Sequence, residues 1–263
     1  MTNQPNQTIE NLKACWTSLD GLVGQLDHDQ WSTQSLCPDW TVRGVIAHLG
    51  GIEYMFAQDE PGAWTQSLPF EKVGQWMSQV AELGDDDFLA AYRQVIDTRR
   101  TQVDTLGDEQ LALPTLTPVG PGDYGRFLAV RVFDFWVHEQ DIRVPLGIAG
   151  HDSGPAAEQA IDEIESSLGY IVGKKIGLPD GMSISIELTG PVERSMHVAV
   201  TGRATRVDSL DDPSVVLRTD STTFALLACG RIDPQGPIDQ GRIAWDGDAG
   251  WGETAARNLA FTM

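Results

Sequence analysis

Apolar side chains recur every three or four residues through most of the first two thirds of the chain. The first stripe predicts an amphipathic helix and comprises Ile9, Leu12, Trp16, Leu19, Leu22, Val23 and Leu26. The same spacing predicts further helices at residues 42–56, 85–103, 124–146 and 155–172. Thr41 or Asp39 is the expected cap of the second helix, and Gly147 is expected to end the helix over 124–146.

The pattern changes near residue 178. Apolar and polar residues alternate from there on, which predicts strands at residues 183–189, 196–201, 215–219 and 243–245. Short helices are expected after Ser221 and near the end of the chain, at about residues 252–260. Strands that alternate with short helices are typical of a small α/β domain. We therefore expect an α+β protein, with a helical domain at residues 1–178 and a smaller α/β domain at residues 179–263.

The chain is strongly acidic, with 38 Asp and Glu against 18 Lys and Arg among 263 residues and a formal net charge of −20. Such a surface repels phosphate backbones and anionic lipid headgroups, so neither nucleic acid nor a membrane is an expected partner. No apolar stretch approaches the roughly 18 residues of a membrane helix. Three widely spaced cysteines without a CxxC motif fit a reducing cytoplasm, which is the predicted location.

Two predicted helices carry the residues of greatest chemical interest. His48 lies on the buried stripe of the helix over 42–56. Asp134 and His138 are four residues apart, so they share one face of the helix over 124–146, and Arg131 and Asp141 flank that face. Each of these two patterns alone also fits a purely structural role. The histidine would then be a hydrogen-bonded core residue, and the Asp–His pair would only stabilise its own helix. Together, two inward histidines and one inward carboxylate supply three metal ligands and leave a fourth position open.

Several motifs show a resemblance that covers nearly the whole chain. They are PDWTVR at 38–43, AHL at 47–49, DFWVHEQDIR at 134–143, LRTD at 217–220 and ACGR at 228–231. With these motifs the sequence resembles the mycothiol-dependent maleylpyruvate isomerase family. The resemblance implies a DinB-like four-helix bundle joined to a smaller C-terminal α/β domain of sterol-carrier-like shape.

The resemblance also implies a set of site residues. The metal ligands of the family fall on His48, Asp134 and His138, and a Gly-Arg pair implicated in activity places the catalytic arginine at Arg231. Asp134 stands where the family pattern has Glu, so its reach is one methylene shorter. Asp141 is close enough on the same helix face to accept a hydrogen bond from an imidazole N–H. The expected cofactors are a divalent metal, with zinc as the first choice, and mycothiol as the thiol cosubstrate.

These residues suggest a reaction in which a metal-bound thiolate attacks an electrophilic small molecule. With a cis-enoyl diacid the outcome is cis–trans isomerisation, and with other electrophiles it is S-conjugation. Arg231 would bind a carboxylate or stabilise developing negative charge, although it could equally neutralise a helix C-terminus. Two other classes stay open, a non-catalytic binding protein for a hydrophobic small molecule and a metal-dependent hydrolase on the same bundle. The expected assembly is a monomer or a small homo-oligomer.

Overall fold

The computed structural model describes residues 5–262 of the chain. The chain divides into two compact units, Met1–Ala149 and Gly150–Met263. None of the described helices combines the length and the apolarity that a membrane crossing needs. The mixture of a helical unit and an α/β unit confirms the predicted α+β class.

The first unit is built from helices and one short hairpin. Its helices are α1 (Pro5–Val23), α2 (His28–Trp31), α3 (Val42–Ala57), α4 (Phe70–Val80), α5 (Asp85–Val103), α6 (Asp108–Leu111) and α7 (Tyr124–Leu146). α1 packs against α5 and α7, and α3 packs against the same two helices, which closes a four-helix bundle. Large side chains fill its centre, among them Trp16, Phe56, Phe88, Tyr92 and Phe135.

Helix α4 packs very closely on α3. It is not among the helices predicted from the sequence. Gly50 and Gly51 of α3 make the approach possible, because a Cβ atom on Gly50 would lie 2.5 Å from the Trp76 ring and one on Gly51 would lie 2.8 Å from Val73. Glycine at these positions therefore sets the distance between the two helices.

The Pro/Gly-rich segment before α7 forms an antiparallel hairpin of β1 (Pro114–Thr117) and β2 (Gly120–Asp123). Thr115 and Thr117 are buried, and the Thr117 hydroxyl donates a hydrogen bond to the Gly120 carbonyl. The side chain of Asp123 then caps α7 by accepting a hydrogen bond from the backbone N–H of Arg126.

The second unit combines a mixed sheet with helices. Its strands are β3 (Ser183–Thr189), β4 (Arg194–Thr201), β5 (Arg203–Val207), β6 (Val215–Asp220) and β7 (Ile243–Gly247), in the spatial order β5-β4-β3-β6-β7. β3 and β6 run parallel, and the other neighbours are antiparallel. The α-helices are α8 (Pro155–Ser166), α9 (Leu168–Tyr170), α10 (Ser221–Ala228), α11 (Gln235–Asp239) and α12 (Ala249–Arg257).

The segment between the two predicted domains differs from expectation. The helix predicted over residues 155–172 is interrupted at Ser167, continues through α9, and changes to π-helical turns at Ile171–Ile176 before Gly177 (φ 72°) ends it. α8 packs against α9 and α10, so it belongs to the second unit. The division between the compact units therefore falls at residue 149, earlier than residue 178, where the change of hydrophobic pattern places it.

Candidate metal centre

Two helices of the bundle bring the predicted ligands together. Thr41 is the N-cap of α3, its side chain accepting a hydrogen bond from the Gly44 N–H, and this start places His48 in the second turn of the helix. Asp134 and His138 lie one turn apart in the middle of α7, which packs against α3. The helical periodicity of both segments therefore turns three side chains toward one point.

The distances between these side chains suit a shared cation. His48 Nε2 lies 3.7 Å from Asp134 Oδ2, and His138 Nε2 lies 3.6 Å from Asp134 Oδ1. One donor atom from each residue lies within 4.8 Å of the other two. Both contacts are too long for hydrogen bonds, whereas two ligands of one tetrahedral zinc ion are about 3.3 Å apart. The donor set of two imidazoles and one carboxylate fits a divalent ion with an open position.

The site is partly open to solvent. The side chains of His48 and Asp134 are 22% and 26% exposed, and that of His138 is 7% exposed. A ligand can therefore reach the point between them without displacing the core of the bundle.

The carboxylate of Asp134 lies beside a buried chain of charges. Arg131 donates from its terminal nitrogen to Asp134 Oδ2, and its Nε donates to Glu53 at 2.9 Å, while Glu53 also accepts from Arg99 at 2.8 Å. Burial by itself raises the pKa of Asp134, but the neighbouring Arg131 guanidinium and the imidazoles of His138 and His48 outweigh it and hold that pKa well below the usual range. Asp134 is therefore a permanent anion at neutral pH.

The two imidazoles are held in different ways. Burial lowers the pKa of His48 below its usual value, although the nearby Asp134 carboxylate opposes the shift, so its ring is neutral as a metal ligand must be. His138 Nδ1 lies 2.8 Å from Oδ2 of Asp141, whose side chain is fully buried. This hydrogen bond turns Nε2 of His138 toward Asp134. The structure thus places Asp141 where the sequence predicts an imidazole partner.

Two residues near the site were missed by the sequence analysis. Cys37 donates its thiol hydrogen to Asp141 Oδ2 at 3.1 Å and lies 3.6 Å from His138 Nδ1. Trp40 stacks on His48, with ring centroids 4.7 Å apart and an interplanar angle of 26°, and also lies 5.8 Å from the His138 ring. Both residues occupy a turn that carries no periodic pattern, so spacing gave no signal for their contacts, although Trp40 lies in the PDWTVR motif.

Arg231 lies in the second unit, just after the C-terminus of α10. It is half-buried, and its guanidinium donates a 3.0 Å hydrogen bond to the Cys229 carbonyl. This contact is of the kind expected for a residue that neutralises a helix C-terminus. Its catalytic role stays a prediction.

Family models match most of the chain. Residues 12–143 match the model described as "Mycothiol maleylpyruvate isomerase N-terminal domain", and residues 158–254 match the one described as "MDMPI C-terminal domain". No curated protein matches the sequence.

Solved structures show the same fold. A histidine-to-alanine mutant of the mycothiol-dependent maleylpyruvate isomerase is 14% identical, and the match has a TM-score of 0.62 and covers 94% of this chain and 95% of that one. A further structure of the mycothiol-dependent maleylpyruvate isomerase is also 14% identical, with a TM-score of 0.58 and coverage of 88% and 90%. At this level of identity the likeness establishes the shared fold alone.

Proposed function

This chain is an enzyme of the mycothiol-dependent maleylpyruvate isomerase family, and we propose that it adds a thiol cosubstrate, mycothiol, to an electrophilic small molecule at a metal centre formed by His48, Asp134 and His138. The observation that carries the proposal is the convergence of these three donors within 4.8 Å at a partly open position of the bundle. Zinc is the ion we expect, because two imidazoles and one carboxylate with a vacant position are typical of catalytic zinc.

The residues of the site would have different roles. His48, Asp134 and His138 would hold the ion, and Asp141 would keep the Nδ1 proton of His138 in place so that Nε2 stays a ligand. A bound divalent cation would supply Lewis acidity, which lowers the pKa of a coordinated thiol so that it is a thiolate at neutral pH. Trp40 covers one side of His48 and would exclude water there.

The reaction we propose is cis–trans isomerisation of an activated alkene. Addition of the thiolate to a cis double bond leaves a single bond that can rotate, and loss of the thiolate restores the double bond in the trans form. Attack on an electrophile that cannot eliminate would end in S-conjugation instead. Arg231 is the residue we propose for binding a substrate carboxylate.

The cytoplasm is the compartment that we propose for this activity. A low-molecular-weight thiol is kept reduced there. The three cysteines of the chain, Cys15, Cys37 and Cys229, are all buried.

The test is a screen of the purified protein with thiol and electrophile, together with elemental analysis. We expect one bound divalent ion per chain and a reaction that needs the thiol and stops on treatment with a chelator. Product formation without net thiol consumption identifies isomerisation, and stoichiometric consumption identifies conjugation. Turnover that proceeds without thiol would favour the hydrolase alternative, and a metal-free protein with full activity would refute the metal centre.

A further inference from the structure

The turn at residues 35–40, called the site loop below, contacts both histidines of the candidate centre. We propose that the site loop is a positioning element that fixes the His138 ring through Cys37 and the His48 ring through Trp40. The inference rests on the proposed function in treating the two rings as metal ligands.

The site loop is closed on itself by hydrogen bonds at its base. The backbone N–H and the hydroxyl of Ser35 both donate to the Trp40 carbonyl, at 3.2 and 2.7 Å. The side-chain amide of Gln34 donates to the carbonyls of Cys37 and Trp40 at 2.7 and 2.8 Å. Because these bonds join the two ends and the middle of the turn, they hold Cys37 and Trp40 in a fixed arrangement.

A proline in α7 provides the anchor for the site loop. Pro145 lacks the N–H that would bond to the Asp141 carbonyl four residues earlier in the helix. The backbone N–H of Leu36 donates to this carbonyl at 3.0 Å. The site loop therefore supplies the hydrogen bond that α7 lacks because of Pro145. This bond lies close to the contact between Cys37 and His138.

The side chain of Cys37 completes the contact with α7. Its thiol and His138 Nδ1 both bond to the same Oδ2 of Asp141, at 3.1 and 2.8 Å, and Cys37 is only 7% exposed. The sulfur also packs 3.6 Å from Nδ1. Rotation of the His138 ring would break its bond to Asp141 and collide with the sulfur, so this arrangement holds the ring in one orientation.

His48 depends on Trp40 in a different way. The nearest carboxylate atom, Asp134 Oδ2, is 3.7 Å from Nε2, beyond hydrogen-bond range. Trp40 covers one face of the imidazole, with ring centroids 4.7 Å apart, and the His138 ring lies edge-on to it at 5.0 Å. The stacked indole thus fixes the plane of the His48 ring, and both histidines contact the same short loop.

Gln34 gives the sharpest test, because it closes the site loop without contacting either histidine. In the metal-free protein with ¹⁵N-labelled histidine, we expect Gln34→Leu to shift or broaden the ring signals of both His48 and His138. We also expect it to weaken binding of zinc, measured by calorimetry, by on the order of tenfold. Gln110→Leu is the matched control. It removes the hydrogen bond that the Gln110 side chain accepts from the Gly107 N–H at the start of α6, outside the site loop.

A second pair of variants separates ring stacking from loss of packing. Trp40→Phe keeps an aromatic plane and is expected to retain the His48 signals, whereas Trp40→Leu is expected to alter them. Unchanged ring signals in both Gln34→Leu and Trp40→Leu would overturn the proposal. If wild-type protein binds no zinc, the proposed function fails, but the ring signals still decide whether the site loop positions the histidines.

Discussion

Asp134 faces a histidine from each of two helices and an arginine at the same time. Its carboxylate lies 3.6 and 3.7 Å from the two imidazoles and pairs directly with Arg131, which Glu53 holds from the other side. A cation bound here has to share the carboxylate with a fixed guanidinium. The pairing with Arg131 therefore weakens the hold of Asp134 on a cation, and the two imidazoles would contribute a larger share of its binding.

His48 is the proposed ligand whose removal tests the centre most simply. We expect His48→Ala to lose bound metal and activity together, because two remaining ligands hold a divalent ion weakly. The bundle should stay folded, since His48 is partly exposed. Metal content by elemental analysis and helicity by circular dichroism check both points.

The matched control for that variant is His28→Ala, which removes a histidine that is 86% exposed in the same unit. It should keep the metal content of the wild type. Unchanged metal content in His48→Ala would remove His48 from the site.

At the scale of helices and strands, periodicity decided what could be predicted. The C-terminal end of α7 was predicted because Gly147 ends it with φ 67°, although residues 135–143 are all buried and leave no separate polar face. α4 was missed although its buried residues, Val73, Trp76 and Val80, have helical spacing, because a stripe of three residues is short. β5 was missed because it is an edge strand whose residues are mostly exposed, so no alternation marks it.

The same reasoning explains which site residues the sequence could supply. His48, Asp134, His138 and Asp141 follow from helical spacing, which fixes the face on which a side chain lies. The contacts of the site loop depend instead on the way the chain closes between α2 and α3. Tertiary hydrogen bonds determine that closure, and they leave no periodic trace in the sequence.

The contact between α3 and α4 leads to a prediction about stability. Gly50→Ala should lower the free energy of unfolding by about 1–3 kcal/mol, because the added Cβ would lie 2.5 Å from the Trp76 ring. Gly74→Ala, in α4, meets no atom within 4 Å and should raise stability by roughly 0.5–1 kcal/mol. Urea unfolding of both variants tests the pair, and equal effects would refute the close-packing argument.

The hydrogen bond between His28 and Asp85, at the start of α5, should make a pH-dependent contribution to stability. Hydrogen bonding to Asp85, at 2.7 Å, raises the pKa of His28 above its usual value. A raised pKa means that the contribution is fully present below the pKa of the unfolded chain and is lost as pH rises through the folded value. The difference in Tm between wild type and His28→Ala should therefore be larger at pH 5.5 than at pH 8.5. An equal difference at both values would contradict the pairing.

For the whole molecule, the decisive question is whether the second unit takes part in turnover. We expect Arg231→Ala to keep the wild-type metal content and lose turnover, because the arginine lies in a different unit from the ligands. Loss of the bond to the Cys229 carbonyl should cost about 1 kcal/mol of stability. Full activity of the variant, with only this loss of stability, would show that Arg231 has a purely structural role at the end of α10.

The burial of every cysteine has a consequence for the proposed reaction with an electrophile. Cys15, Cys37 and Cys229 are at most 7% exposed, and burial raises the pKa of the Cys15 thiol well above its usual value. In the proposed reaction, an electrophile diffusing over the described surface would therefore meet no well-exposed cysteine thiol. A catalyst of that reaction would avoid alkylation of its own cysteines, and the soluble thiol would be the more accessible nucleophile.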